Sequence, residues 1–191
     1  MSRGRSPWLV AASLAAAAGS TAVGSYLCLV TGRLTLDLGI GRRTQPLGPL
    51  TYDIAAAPET VFAMAAAPYA ERRPRALRDK VEILERSEGM VLAAHRTPLR
   101  RGLTAVTVET VTFQPPHRIG FRLLRGPVPS VVESFEFEPT GSGTRLTYTG
   151  ELGTDLGRLG ETWGEVVARS WVATVRSSLD QIKAESERRT S

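Results

Sequence analysis

Residues 103–138 read LTAVTVETVTFQPPHRIGFRLLRGPVPSVVESFEFE, and this stretch decides the fold. Apolar and polar residues alternate in three runs, which are separated by Pro115-Pro116 and Gly126-Pro127. Alternation of this kind predicts half-buried strands, and short connections between consecutive strands predict antiparallel pairing. The same pattern continues on both sides. Strands are therefore predicted at 80–87, 90–96, 103–114, 118–125, 130–138 and 144–152.

A helical period replaces the alternation after residue 152. Apolar residues now recur every three or four positions: Leu156, Leu159, Trp163, Val167, Trp171, Val175, Leu179 and Ile182. This spacing predicts one long amphipathic helix whose apolar side packs on the sheet. Before the strands, residues 50–56 are predicted to form a further strand. Pro58-Glu59 then opens a short helix, because proline and an acidic residue suit the first helical turn.

This order of strand, helix, six strands and long helix resembles the START-like helix-grip superfamily (SRPBCC), in its polyketide cyclase/dehydrase and lipid-transport branch. The resemblance is carried by IAAAPETVF at 54–62, PPHRI at 115–119, SFEFEP at 134–139 and GTRLTY at 143–148. It implies an α+β helix-grip domain over residues 50–187, with a curved antiparallel sheet of about seven strands around the C-terminal helix. It also implies a hydrophobic cavity between sheet and helix, without a shared set of catalytic residues.

The N-terminal segment from Trp8 to Val30 has no charged residue and is long enough, as a helix, to cross a bilayer. We therefore predict a transmembrane anchor over residues 1–31 and a juxtamembrane linker, rich in Gly, Pro and Arg, over residues 32–49. A cleaved signal peptide is the alternative. The anchor predicts a single-pass membrane protein whose domain faces the cytoplasm, because arginines cluster after the span. Small residues at every fourth position permit weak self-association of this helix.

The positive net charge of +5 lies mainly outside the predicted domain. Residues 1–48 hold five arginines and one aspartate, whereas the rest of the chain holds 19 basic and 18 acidic residues. A nucleic-acid-binding domain needs a basic face with interleaved aromatic residues. The predicted domain is nearly neutral, which excludes nucleic acid as its main partner.

Pairing the predicted strands across their turns collects a set of side chains on one face of the sheet. The predicted pairs are Phe113 with Ile119, Val111 with Phe121, Glu109 with Leu123, Phe121 with Glu133, Ile119 with Phe135, Phe135 with Leu146, and Glu133 with Tyr148. That face becomes an apolar wall that carries two carboxyls and a phenol, and the C-terminal helix faces it. The predicted cavity is lined by Phe62, Glu109, Val111, Phe121, Leu123, Glu133, Phe135, Tyr148, Trp163, Val167 and Trp171.

These residues leave three functions open. The leading hypothesis is a membrane-anchored, non-catalytic binding or carrier domain for a hydrophobic small molecule or lipid. The alternative is a polyketide cyclase or dehydratase that uses Glu109, Glu133 and Tyr148 as acid/base groups, since desolvation raises the pKa of a carboxyl on an apolar wall. A protein-interaction scaffold is the third. Neither of the two histidines, His95 and His117, has a cysteine or carboxylate cluster at ligand spacing, so no metal and no cofactor are predicted.

Overall fold

The computed structural model describes residues 24–98 and 102–190, in which helices pack on one antiparallel sheet. After a helical segment at 24–30, the elements are β1 Arg43–Pro46, β2 Leu50–Ile54, α1 Pro58–Ala66, a 3₁₀ turn Ala67–Tyr69, α2 Arg75–Lys80, β3 Val81–Ser87, β4 Met90–Pro98, β5 Thr104–Gln114, β6 Arg118–Arg125, β7 Ser130–Thr140, β8 Gly143–Thr154 and α3 Arg158–Thr190. The open antiparallel sheet and the long C-terminal helix confirm the predicted α+β class and the helix-grip arrangement.

The strands follow the order β1-β8-β7-β6-β5-β4-β3, and β2 also pairs with β8. The long strand β8 carries both short strands on its outer edge, because β1 pairs with residues 151–154 and β2 pairs with residues 144–148. Between them, the backbone N–H of Leu47 donates a hydrogen bond to the carbonyl of Gly150 at 2.8 Å. β1 and β2 therefore act as one interrupted edge strand.

The segment predicted to be a linker, residues 32–49, contains β1 and packs on the domain. The Thr35 hydroxyl donates to the carbonyl of residue 126 at 2.7 Å. The Asp155 carboxylate accepts hydrogen bonds from the backbone of residues 38 and 39 and from Arg42 Nε. An edge strand pairs on one side only and tolerates proline, so β1 needs no clear alternation. This explains why the sequence pattern did not reveal it.

The predicted register is correct between β5 and β6, where Phe113 faces Ile119 and Glu109 faces Leu123, and between β6 and β7. It is wrong by two residues between β7 and β8. Phe135 pairs with Tyr148 rather than Leu146, and Glu133 pairs with residue 150. The strands extend to Thr140 and Gly143, which leaves a tighter turn than expected. A slip of two residues preserves the face of every side chain, so the predicted wall survives.

The C-terminal helix α3 packs against β8, β2, β1 and α1 through part of its predicted apolar stripe. Val167, Val175 and Leu179 are buried, whereas Leu159 is 80% exposed. The helix also begins later than predicted, because Leu156 has a positive φ of 68° and belongs to the preceding turn. A Cβ on Gly160 would lie 1.7 Å from the Asp155 carbonyl oxygen, so this glycine serves close packing at the helix start.

The predicted single-pass membrane localisation is wrong. Among residues 24–98 and 102–190, no helix is long and apolar enough to span a membrane. The described end of the predicted anchor packs on the domain instead, because the ring of Tyr26 contacts the ring of Trp163 edge-on, with centroids 6.1 Å apart. The remainder of the predicted anchor, residues 1–23, and the self-association proposed for it lie outside the described residues.

Candidate ligand-binding site

The two predicted carboxyls point to the same face of the sheet. Glu109 on β5 lies opposite Leu123, and Glu133 on β7 lies opposite Phe121. Opposed residues share a face, and residues 121 and 123 of β6 share a face because side chains alternate along a strand. The carboxyls are therefore neighbours on the inner face, with β6 between their strands.

Glu133 accepts two hydrogen bonds on one oxygen. Tyr148 Oη donates to Oε2 at 2.5 Å, and Trp171 Nε1 of α3 donates to the same atom at 2.9 Å. Within the described residues, the other oxygen, Oε1, has no hydrogen-bond partner and is not sealed from solvent. The carboxyl thus links α3 to the sheet through Oε2, and Oε1 remains available to accept a further hydrogen bond.

The Tyr148–Glu133 contact depends on a small residue between them. Gly150 lies opposite Glu133 in the β7–β8 pair. A Cβ added to Gly150 would lie 3.0 Å from Glu133 Cβ and 3.0 Å from Tyr148 Oη, tighter than ordinary contact. The absent side chain is what lets the phenol reach diagonally across the pair.

Glu109 has a different set of neighbours. Thr107 Oγ1 donates to its Oε1 at 2.7 Å, and Nδ1 of His95 on β4 lies 3.3 Å from its Oε2. Tyr69, at the end of the 3₁₀ turn after α1, places its hydroxyl 3.0 Å from His95 Nε2. His95 Nδ1 has no hydrogen bond of good geometry, so its link to Glu109 is an ion pair.

These neighbours shift the pKa values of the two carboxyls in opposite directions. Burial raises the pKa of Glu133 to about 7, and the negative charge of Glu109 adds to the rise, against the hydrogen bonds from Tyr148 and Trp171. Burial also favours a raised pKa for Glu109, but the positive charge of His95 outweighs it and leaves that pKa lowered. Burial favours a lowered pKa for His95, but the charge of Glu109 leaves it raised.

The inner face therefore holds a Glu109–His95 pair, in which each partner favours the charged form of the other, and a Glu133 that is divided between its two protonation states at neutral pH. A carboxyl with a pKa near the ambient pH can donate or accept a proton at little cost. Such a group can also serve as a plain hydrogen-bond partner, because its partners Tyr148 and Trp171 already satisfy one oxygen.

Aromatic side chains form the wall around these groups. Phe121 and Phe135 pack edge-on with centroids 5.3 Å apart, and Phe135 packs in the same way on Tyr148 at 5.6 Å. Tyr69 contacts Phe121 at 6.4 Å. The wall is thus continuous from the Tyr69 side to β8.

The predicted lining residues divide into two groups. Phe62 packs against Phe137 in the core, and the other fully covered residues are Glu109, Val111, Leu123, Phe135, Tyr148 and Val167. The part-exposed residues are Phe121, Glu133, Trp163 and Trp171. These four side chains therefore keep part of their surface accessible to solvent.

Two hollows lie elsewhere on the surface. One of about 340 Å³ borders Gln114, His117 and Glu136, and the other, of about 360 Å³, borders residues 55–58 and the C-terminal end of α3. Neither touches Glu109 or Glu133. Neither hollow includes a residue of the predicted lining.

Sequence reasoning missed His95, Tyr69 and Thr107. Two of them had a usable signal, because His95 faces Thr107 across the β4–β5 pair. Extending the predicted pairing by one more hairpin would have placed both on the wall. Tyr69 carried no such signal, because it lies in a 3₁₀ turn and not on a strand whose alternation predicts a face. Within residues 24–98 and 102–190, no group of three or more His, Cys, Asp or Glu residues is arranged to hold a metal ion.

Several solved structures share this fold. The Zhui aromatase/cyclase from a Streptomyces species aligns with a TM-score of 0.61 and 19% identity over 78% of this chain and 96% of that chain. The di-domain ARO/CYC StfQ from the steffimycin biosynthetic pathway gives 0.60 and 20% over 78% of this chain, which spans 52% of that protein's length. A protein from Thermus thermophilus gives 0.55 and 18% over 78% and 98%. At these identities the likeness shows the fold alone.

Family assignment rests on the sequence itself. No curated protein sequence matches the chain significantly. Residues 50–187, however, match the family described as polyketide cyclase/dehydrase and lipid transport, and this range includes every side chain of the Glu109 and Glu133 clusters. Because the match covers most of the chain, the protein belongs to the polyketide cyclase/dehydrase and lipid transport family.

Proposed function

We propose that this protein binds a hydrophobic small molecule on the inner face of its sheet, beneath α3. The observation that carries the proposal is the partial exposure of Phe121 and Glu133 on the sheet and of Trp163 and Trp171 on α3, beside buried neighbours of the same predicted lining. An apolar ligand gains by displacing water from such rings, at about 25 cal/mol for each Å² of apolar surface that is buried. The free Oε1 of Glu133 supplies one polar contact for orientation.

Family membership supports the same function. The family description names lipid transport beside polyketide cyclase and dehydrase activity, and each of these handles a largely apolar molecule. The aromatic and aliphatic side chains of the wall agree with a ligand of that kind. Glu133 Oε1 can orient a bound ligand through a hydrogen bond, and this role requires no chemical reaction.

The test uses the full chain and a neutral fluorescent probe, N-phenyl-1-naphthylamine. The probe is expected to bind with enhanced fluorescence, and native mass spectrometry is expected to show a retained apolar ligand in freshly purified protein. Phe121→Ala should weaken probe binding about tenfold, because a ring contact of about 1.4 kcal/mol is lost. Leu124→Ala is the matched control, since this neighbour on β6 is 55% exposed.

Probe affinity that is unchanged in Phe121→Ala, with circular dichroism confirming the fold, would place the ligand elsewhere. Failure of the probe to bind, together with an empty protein in the mass spectrum, would overturn the binding function. A protein-interaction scaffold would then be the better explanation of the fold.

A second function, proton transfer to a bound polyketide-like or aromatic substrate, is favoured by one observation. The pKa of Glu133 near 7 and its contact with Tyr148 make it suited to act as an acid or a base. In such a cyclase or dehydratase, the double variant Glu109→Gln with Glu133→Gln should still bind substrate but lose turnover. Retained turnover in the double variant contradicts this second function and leaves the binding function intact.

A further inference from the structure

The charges on the inner face do not balance. The titratable groups that face Glu133 are Tyr69 from the 3₁₀ turn, His95 from β4, Glu109 from β5 and Tyr148 from β8, while α3 contributes the neutral indole of Trp171. Two carboxyls thus share the face with one imidazole. Among the described residues, neither Glu109 nor Glu133 forms an ion pair with a lysine or an arginine.

The single imidazole, that of His95, pairs with Glu109. His95 Nδ1 lies 3.3 Å from Glu109 Oε2, so the charges of these two groups compensate each other. Glu133 receives only neutral donors, the phenol of Tyr148 and the indole of Trp171, and both donate to Oε2. When Glu133 ionises, no cation of the described residues contacts it, because His95 acts on it only from its place beside Glu109. Oε1 is the atom that is open to a ligand.

The surroundings of Glu133 also suit a cation. Phe121 lies directly opposite Glu133 on β6, and Trp171 reaches the carboxyl from α3. The faces of aromatic rings carry negative charge density and attract an ammonium group, the more strongly when it is desolvated. Both side chains are part-exposed, so a ligand beside Glu133 can reach them.

We propose that the ligand of this site is a hydrophobic cation, an amine that carries an aromatic or aliphatic ring system. Its ammonium group binds Glu133 Oε1, and its apolar part lies between Phe121 and Trp171. The inference rests on the binding function proposed above and narrows it to one charge class. Neutral apolar molecules bind less tightly because they form no ion pair with Glu133, and anionic ones bind most weakly because they add a like charge.

The proton balance gives the site a pH dependence. The ammonium binds the ionised carboxylate, so a protonated Glu133 must release its proton to solvent when the cation binds. Since the pKa of Glu133 lies at about 7, the affinity for the cation rises as the pH rises through that value. A neutral ligand of the same shape binds without requiring Glu133 to release a proton.

The experiment compares three naphthalene probes of matched shape on the full chain by isothermal titration calorimetry. They are 1-naphthylmethylamine, which is a cation, 1-naphthylmethanol, which is neutral, and 1-naphthoate, which is an anion. At about pH 8, the amine should bind about tenfold more tightly than the alcohol, and the acid should bind most weakly. Between about pH 6 and pH 8, the affinity for the amine should increase about tenfold while that for the alcohol stays constant.

Two variants locate the effect. Glu133→Gln should reduce the affinity for the amine to that for the alcohol, without changing the affinity for the alcohol. Glu136→Gln is the matched control, because Glu136 lies on β7 as well but is exposed and faces Arg118 on the outer surface. The pH series on the unaltered protein gives the same information if Glu133→Gln does not fold.

The outcomes separate the two proposals. Equal or tighter binding of the alcohol or the acid overturns the cationic ligand but supports the binding function. A preference for the amine that persists in Glu133→Gln, or that does not change with pH, also overturns the cationic assignment to this carboxyl. Failure of all three probes to bind contradicts the binding function itself and the inference with it.

Discussion

The Glu109 cluster and the Glu133 cluster, two regions of one inner face, hold the same kind of side chain in opposite electrostatic states. Glu109 meets His95, a neighbour that can carry a positive charge, and its pKa is lowered although the carboxyl is only 5% exposed. Glu133 meets a phenol and an indole, which donate hydrogen bonds without charge, and its pKa is raised to about 7. Desolvation acts on both carboxyls.

The comparison shows that burial alone does not set the protonation state of an inner carboxyl. Burial favours the neutral form in both regions, and a charged partner reverses that effect in only one of them. Neutral donors reduce the shift but do not cancel it. The inner face thereby favours the ionised form of one carboxyl and leaves the other free to respond to pH or to a ligand.

The largest expected effect comes from removing the charged partner of Glu109. His95→Gln should lower the free energy of unfolding by about 3 kcal/mol at neutral pH, because Glu109 is then a buried charge without a cation. The pKa of Glu109 should rise above its usual range, so the loss should shrink at lower pH, where Glu109 takes up a proton. Urea unfolding at several pH values measures both changes.

The other histidine supplies the control for this substitution. His117 is exposed, and His117→Gln should leave the free energy of unfolding nearly unchanged. The ion pair would not distinguish the two regions if His95→Gln lowered the free energy of unfolding no more than His117→Gln does. The same would follow if the decrease in His95→Gln did not depend on pH.

The second-largest expected effect is the pH dependence of the free energy of unfolding that Glu133 causes. Its pKa is raised from 4.5 to about 7 on folding, so the folded state binds more protons than the unfolded state between these values. Stability therefore falls as the pH rises through that window, by about 2 kcal/mol once part of the shift is discounted for solvent access. Glu133→Gln should remove this slope.

The difference between the unfolding free energies of the unaltered protein and Glu133→Gln, measured across about pH 4 to pH 8, isolates this contribution. Contributions from Glu109 and His95 occur in both proteins and largely cancel in the difference. A difference that stays flat with pH would contradict the raised pKa of Glu133.

The smallest expected effect comes from removing one neutral donor. Tyr148→Phe should cost about 1 kcal/mol, since it deletes one hydrogen bond to a buried acceptor. It should also raise the pKa of Glu133 further, because the bond from Tyr148 holds that pKa down. Carbon-13 NMR titration of the Glu133 carboxyl measures the pKa. Tyr52→Phe on β2 is the control, and a Glu133 pKa that moves equally in both variants would disprove a specific role for Tyr148.

The sheet could be predicted from the sequence wherever turn signals bracket a strand. The turns at residues 115–116 and 126–129 give the correct pairing of Glu109 with Leu123 and of Glu133 with Phe121. Prediction failed at the last hairpin, because the strands continue beyond the predicted limits at residues 138 and 144 to Thr140 and Gly143. It also failed at β1, where an edge position removes the need for alternation, and at the N-terminal segment, where apolar composition alone suggested a membrane span.

The sequence by itself determined the order of the strands from β2 to β8, the helix after β2 and the C-terminal helix, and the face on which each wall residue lies. Alternation has a period of two and is local, so even a register error of two residues left Glu109, Glu133 and Tyr148 on one face. Only the tertiary structure decided which neighbour each carboxyl meets. His95, Tyr69 and Trp171 come from β4, the turn after α1, and α3, and their distances to the carboxyls depend on how these elements pack. Charge interactions fall off over a few ångströms, so the opposite states of the two carboxyls follow from packing and not from sequence pattern.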